Sequence, residues 1–203
     1  TFVGGTTPQV VYGNEKANVT EKIAVAKVGE NYYNSLQEAI DVDPYGVPVV
    51  LVADVSVDET DRGNCISVRK RVVLDLNGHA IVKSANKRNA PMAIEVSAGG
   101  ELVVKGEGTI DGKASYVSNN DGTVYSGEGI RVSAANESAP AGKLVVGDGA
   151  TIKGGFAVRQ FAGSSVTVDG GTLQGNKYGI YDSNGTVVVN GGEVFGLVKG
   201  IMA

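Results

Sequence analysis

The stretch KLVVGDGATIKG at residues 143–154 decides the fold, because its pattern recurs on both sides of it. RVVLDLNGHAIV at 71–82 and ELVVKGEGTIDG at 101–112 precede it, and SVTVDGGTLQG at 165–175 and TVVVNGGEVFG at 186–196 follow it. Each joins an alternating apolar segment to a second, shorter one through a corner rich in glycine, Asn and Asp. A third segment, opening with a small residue, stands in CISV at 65, AIEV at 93, GIRV at 129, AVRQ at 157, GIYD at 179 and GIMA at 200. These starts lie 28, 36, 28, 22 and 21 residues apart. Self-similarity at such intervals marks a repeat architecture, in which each unit buries its apolar face only against its neighbours. Three short strands per repeat predict a chain coiling into a parallel β-solenoid.

The register follows from the alternation. Val72/Leu74, Leu102/Val104, Leu144/Val146, Val166/Val168 and Val187/Val189 repeat at period two and would stack at about 4.8 Å per coil into an interior column. Ile81, Ile110, Ile152, Leu173 and Val194 form a second column, and Ile66, Ile94, Ile130, Val158, Ile180 and Ile201 a third. Asn77-Gly78, Asp148-Gly149, Asp169-Gly170 and Asn190-Gly191 are expected to turn the corner, being residue types that tolerate positive φ. A sandwich of hairpins is the competing fold, since pairing direction is not written in a sequence.

Composition bounds the alternatives. Of 30 glycines in 203 residues, 25 follow residue 60, where the repeats lie. A hydrophobic fraction of 42% supports one packed core, and the longest apolar run, VPVVLVADVSV at 47–57, is strand-length rather than membrane-spanning. Cys65 has no internal partner, and with His79 it offers two ligands where a structural zinc site needs four. His79 reads as a turn residue. Residues 1–24 are expected to be an arm or linker, 25–46 a capping strand and helix, and 47–203 the helix of coils. In the cap, Ser35 stands as N-cap with Glu38 three positions on, Leu36, Ala39 and Ile40 share a face, and Pro44 and Gly46 end the helix. The start at Thr1 and the absence of a signal peptide imply a processed chain or a piece of a larger one. The coil opening at GIMA implies that the chain continues, or abuts another chain, beyond Ala203.

YYNSLQEAID at 32–41, VPVVLVADVSVDE at 47–59 and RVVLDLNGHAIV resemble the pectate-lyase-like superfamily of right-handed parallel β-helices, specifically its bacterial cell-surface members. The likeness spans residues 25–203. It implies an all-β, right-handed parallel β-helix with three short strands per coil and a short N-terminal capping helix. It also implies an extracellular or cell-surface setting, and a structural or adhesive module that binds glycan or a neighbouring protein subunit. The enzymatic alternative is a lyase or hydrolase of acidic polysaccharide. GTIDGKA at 108–114 resembles an early coil of polygalacturonases, but their Asn-Thr-Asp, Asp-Asp, Gly-His and Arg-Ile-Lys segments do not occur, so no catalytic residue is assigned. A viral fibre, tailspike or capsid-decoration protein on a virion surface is the third reading.

Candidate sites are therefore surfaces. Tyr116, Asn119, Asn120, Asp121 and Tyr125 lie in an insertion whose composition suits sugar binding. Arg62, Arg69, Lys70, Arg71, Lys83, Lys87 and Arg88 face one acid, Asp75, in 27 residues, a net of +6; with the chain at −4 the remainder carries −10. Such a basic end would dock an anionic polymer or an acidic neighbour, or be a solvated edge. Nucleic acid is not expected, because the pI is about 5.1 and the basic segment holds no aromatic residue. Val73, Val103, Val145 and Val188, with Thr167, form an outward apolar stripe facing a partner or an internal cover. Arg131 and Arg159 fall in another outward column between Glu95 and Tyr181, read as alternating charge on a solvated face. No cofactor is expected; Asp148 and Asp169, with Asn190 next in line, are the one place where calcium is an option, against a role in turn geometry. Asn18, Asn136 and Asn184 fit glycosylation acceptors.

Overall fold

A computed structural model of the chain describes residues 23–42, 46–57, 65–83, 92–113 and 127–203. The cap comes first. Strands β1 (Ala26–Val28) and β2 (Asn31–Tyr33) pair antiparallel, and helix α1 (Leu36–Val42) follows. Ser35 caps the helix as its sequence implies, its Oγ accepting the Glu38 N–H at 3.4 Å, and Leu36, Ala39 and Ile40 are buried. The predicted terminator Pro44 lies outside the described residues.

The apolar run at 47–57 divides into two strands, β3 (Val49–Leu51) and β4 (Val55–Val57). Asp54 sits at the bend between them and accepts the Ala80 N–H at 2.9 Å, so one apolar run serves two sheets. Thereafter each pass of the chain is alike. β5 (Ile66–Val68), β6 (Arg71–Asp75) and β7 (Ala80–Lys83) lead to β8 (Met92–Val96), β9 (Glu101–Lys105) and β10 (Gly108–Asp111). β11 (Glu128–Val132), β12 (Lys143–Val146), β13 (Ala150–Gln160), β14 (Ser165–Val168) and β15 (Thr172–Asp182) follow, and β16 (Thr186–Val189), β17 (Glu193–Gly196) and β18 (Lys199–Met202) come last.

The pairing is parallel from β3 onward. One sheet runs β16-β14-β12-β9-β6-β3, with β1 and β2 added antiparallel at its end. The other holds the remaining strands, and β13 and β15 bridge its two halves. Val72, Leu102, Leu144, Val166 and Val187 stand in register, as do Ile81, Ile110, Ile152, Leu173 and Val194, and Ile66, Ile94, Ile130, Val158, Ile180 and Ile201. Those of the inner coils are buried, whereas Val189 and Ile201 of the last coil are 46% and 40% exposed. The chain is thus mostly β with one helix among the described residues, and its parallel strands stack in a solenoid-like manner. Sequential parallel pairing of strands separated by whole coils excludes the hairpin sandwich, whose neighbours run antiparallel.

Two local expectations change. The sequence predicts three separate strands per coil throughout, yet β13 and β15 each run for 11 residues, joining the third segment of one coil to the first of the next. No insertion separates these segments there, and a register shift between Gly154 and Phe156 bends the strand while keeping it paired. The corners also vary. Asn77 (φ 46°) and Gly78 (φ 83°) both adopt positive φ, and the His79 N–H closes the turn on the Leu76 carbonyl at 2.8 Å. In the later coils the left-handed residue is instead Gly149, Gly171 or Gly192.

Candidate functional site

The two long strands build the most distinctive face. On their first-segment halves the outward column runs Ser67, Glu95, Arg131, Arg159, Tyr181, Met202, each residue paired with the next. The column foreseen from sequence is therefore present, but its chemistry is not that of a solvated charge ladder. Glu128, three residues before Arg131, is 1% exposed. Its Oε2 accepts the Arg131 Nε–H at 2.7 Å, and its Oε1 accepts from Arg131 Nη2 at 3.0 Å and from Arg159 Nη1 at 3.1 Å. One buried carboxylate thus clamps two guanidiniums from adjacent coils, in the planar two-pronged geometry that suits Arg. Glu95 is turned aside by the Ser133 hydroxyl, which donates to its Oε1 at 2.9 Å.

Aromatic rings surround the clamp. Register pairs Phe156 with Tyr178, and their rings stack with centroids 5.6 Å apart and planes 13° from parallel. Tyr181 lies 5.4 Å from Phe156 and 5.6 Å from Tyr178. The Arg159 guanidinium is 4.9 Å from the Phe161 ring and 5.6 Å from Tyr181, and Arg131 is 5.8 Å from Phe161. Lys177 Nζ stands 5.2 Å from Tyr178. Each such contact contributes about 0.5–1 kcal/mol at a partly exposed site, and together they fix the rings as a half-exposed platform. Beside it, at the bend, an open groove of about 410 Å³ is lined by Asp111, Lys113, Lys153, Gly154, Gln174 and Asn176. Asp111, Lys153 and Gln174 are themselves in register. A polar trough next to a sheet of rings can offer amide, ammonium and carboxylate groups to hydroxyls while the rings cover C–H surface.

The residues named from sequence disperse. Tyr116, Asn119, Asn120, Asp121 and Tyr125, with Arg62, Lys87 and Arg88, lie outside the described residues. Of the remaining basic residues, Arg69 is exposed, Lys70 Nζ caps the end of α1 by donating to the Asp41 carbonyl at 2.9 Å, and Arg71 pairs with Glu101 at 3.1 Å. Lys83 is a correction. It occupies the inward phase of β7, two residues after Ile81, and is fully buried, its Nζ donating to the Met92 carbonyl at 3.0 Å. It therefore belongs to the interior and not to a basic surface, the hydrogen bond answering part of the cost of burying an ammonium. Val73, Val103, Val145, Thr167 and Val188 do form one outward row.

Asp148 and Asp169 are exposed, and the Asn190 amide donates to Asp169 Oδ1 at 2.7 Å, so a hydrogen bond ties the last two corners together. Among the described residues no group of three or more His, Cys, Asp and Glu side chains could hold a metal ion. His79 Nδ1 lies 3.4 Å from Asp54 Oδ1 at the coil corner. Asn136 and Asn184 are exposed, and Asn184 adopts φ 63°. Asn18 lies outside the described residues.

Cys65 is half-buried, and burial, followed by the charge of Glu95, pushes its thiol up from the ordinary value. The thiolate is the nucleophile. At pH 8 iodoacetamide is expected to modify Cys65 at least about fivefold more slowly than free cysteine, read by mass spectrometry; equal rates would contradict that environment.

Sequence reasoning missed Glu128, Phe156, Phe161 and Tyr178. The signal was there in GEGIRV, GGFAVRQ and GNKYGIYD, where an acid or a ring precedes the first segment at a constant offset. It became legible only once the long strands put Met92, Glu128, Phe156 and Tyr178 in one register. Among the described residues no helix is long and apolar enough to cross a membrane. Comparison of the chain with family models, with curated proteins and with solved structures finds no match.

Proposed function

We propose that the chain is a right-handed parallel β-helix of the pectate-lyase-like kind, working as a surface-exposed, non-catalytic module that adheres to carbohydrate through the ring and arginine face. The observation that carries this reading is the platform of Phe156, Tyr178 and Tyr181, whose ring centroids lie 5.4–5.6 Å apart, with Phe156 and Tyr178 stacked, Tyr181 tilted against both and Arg159 behind. Half-exposed rings in a row beside a polar groove match the amphipathic surface of a sugar chain, whose C–H faces and hydroxyls alternate. The Glu128 carboxylate is engaged by three arginine hydrogen bonds, an arrangement suited to holding a surface and not to moving protons. The rings come from two adjacent coils, β13 and β15, and lie beside a groove that also spans them, which fits a short stretch of a sugar chain.

The test is a panel of neutral and acidic polysaccharides, screened for binding and quantified by calorimetry, with Tyr178→Ala/Tyr181→Ala as the comparison. Each lost ring is expected to remove about 1 kcal/mol, so the double variant should bind at least tenfold more weakly while its circular dichroism is unchanged. Binding that survives the double substitution, or no binding across the panel, would overturn the reading. New reducing or unsaturated ends from polygalacturonate would replace it with the enzymatic one.

A further inference from the structure

We infer that the outward face of the first sheet is a self-association surface, taking a second copy of this chain side by side along the same stacking direction. The face has an apolar centre and charged margins. Val73, Val103, Val145 and Thr167 are half-exposed and Val188 is 42% exposed, in one row across β6, β9, β12, β14 and β16. Two residues before this row the margin reads Arg71, Glu101, Lys143; two residues after it, Asp75, Lys105. The signs alternate along each margin and across the row.

That pattern is self-complementary under one particular operation. A two-fold axis parallel to the direction in which the strands stack reverses each strand and keeps each at its own level. Val73 then faces Val73 of the second copy, Val103 faces Val103, and Val145 faces Val145. Arg71 faces Asp75, and Glu101 faces Lys105. Within one chain these charges already pair along the margins, Arg71 with Glu101 at 3.1 Å and Lys105 with Asp75 at 3.8 Å, so association closes each pair into a four-charge network. A two-fold axis along the strands gives no such match, since it returns each margin to itself. Isologous contacts of this kind are the commonest in homo-oligomers, and alternating charge both selects the register and disfavours others.

Five strands about 4.8 Å apart and five residues of about 3.3 Å give a face of roughly 400 Å² per copy. That lies below the size of stable specific interfaces and in the range of weak, transient ones, so a weak, concentration-dependent dimer is expected. Sedimentation velocity from micromolar to millimolar protein should show a reversible shift toward twice the monomer mass. Val103→Lys/Val145→Lys should abolish it while the β circular-dichroism signal stays. Cys65→Ser/Val103→Cys should be trapped as a dimer by a short bismaleimide, whereas Cys65→Ser/Tyr181→Cys, on the ring face, should not. The sharpest arm inverts every margin charge. Arg71→Glu/Asp75→Lys/Glu101→Lys/Lys105→Glu should still pair with itself but not with the native chain. A monomer at every concentration overturns the inference, whether the thiol introduced by Val103→Cys reacts with maleimide or is shielded by the chain's own segments. So does free mixing of the inverted and native chains.

Discussion

Gly175→Ala is expected to lower unfolding free energy by about 3 kcal/mol or more, the range of severe overpacking. A Cβ at Gly175 would lie 1.7 Å from the Tyr178 carbonyl oxygen and 2.2 Å from its carbon, both backbone atoms that no side-chain rotation can remove. The strand folds back on itself there, and Gly154, Gly175 and Gly196 stand in register at the same bend of successive coils. Two other glycines provide the contrast. Gly78 has nothing within 4 Å but a φ of +83°, so Gly78→Ala should cost only the left-handed strain, about 1 kcal/mol. Gly147 has an ordinary φ and no contact closer than 3.4 Å, so Gly147→Ala should be neutral or slightly stabilising. Urea midpoints of the three variants check the order. Equal losses at Gly175 and Gly147 would mean that the bend is not as tight as described.

Glu128→Ala should cost nearly as much, about 3 kcal/mol, and should damage the face as well as the fold. It removes three charge-assisted hydrogen bonds and leaves Arg131 and Arg159 next to one another with side chains 21% and 33% exposed. Breaking a buried ion pair from one side costs about 3–5 kcal/mol when the orphaned charge is fully buried, and the partial exposure of both arginines draws that down. Glu128→Gln keeps the shape and should recover part of the loss. Chemical denaturation reads the stability, and the proton shifts of Phe161 and Tyr181, which lie under Arg159, read the displacement of the guanidinium. Stability unchanged in Glu128→Ala would show that the clamp is decorative.

How much of this was visible in the residues themselves varies by level. The columns of Val, Leu and Ile were legible because one coil's inward phase repeats in the next, and register needs only period two and a fixed corner. The stacking direction was legible only by inference, since hairpins use the same Asn-Gly corners. Lys83 was misplaced because its charge was weighed and its phase in AIVK was not; two residues after Ile81 it must point inward. The bend at Gly154 was hidden by treating ATIKG and AVRQ as separate segments, when the two glycines at the bend let a single strand turn without losing its partners. Glu128 went unread for the same reason. Its role depends on two arginines 3 and 31 positions away, and only the second is a product of coil spacing.

The claim on which the account turns is that carbohydrate meets the protein on the ring and arginine face. Amide chemical-shift mapping on isotope-labelled protein, titrated with the oligosaccharide that binds best in the panel, tests it directly. Shifts are expected to concentrate in residues 153–161 and 174–182, with Tyr178, Tyr181 and Arg159 among the largest. Shifts confined to 114–126, or to the sheet face of Val73, Val103 and Val145, would contradict it.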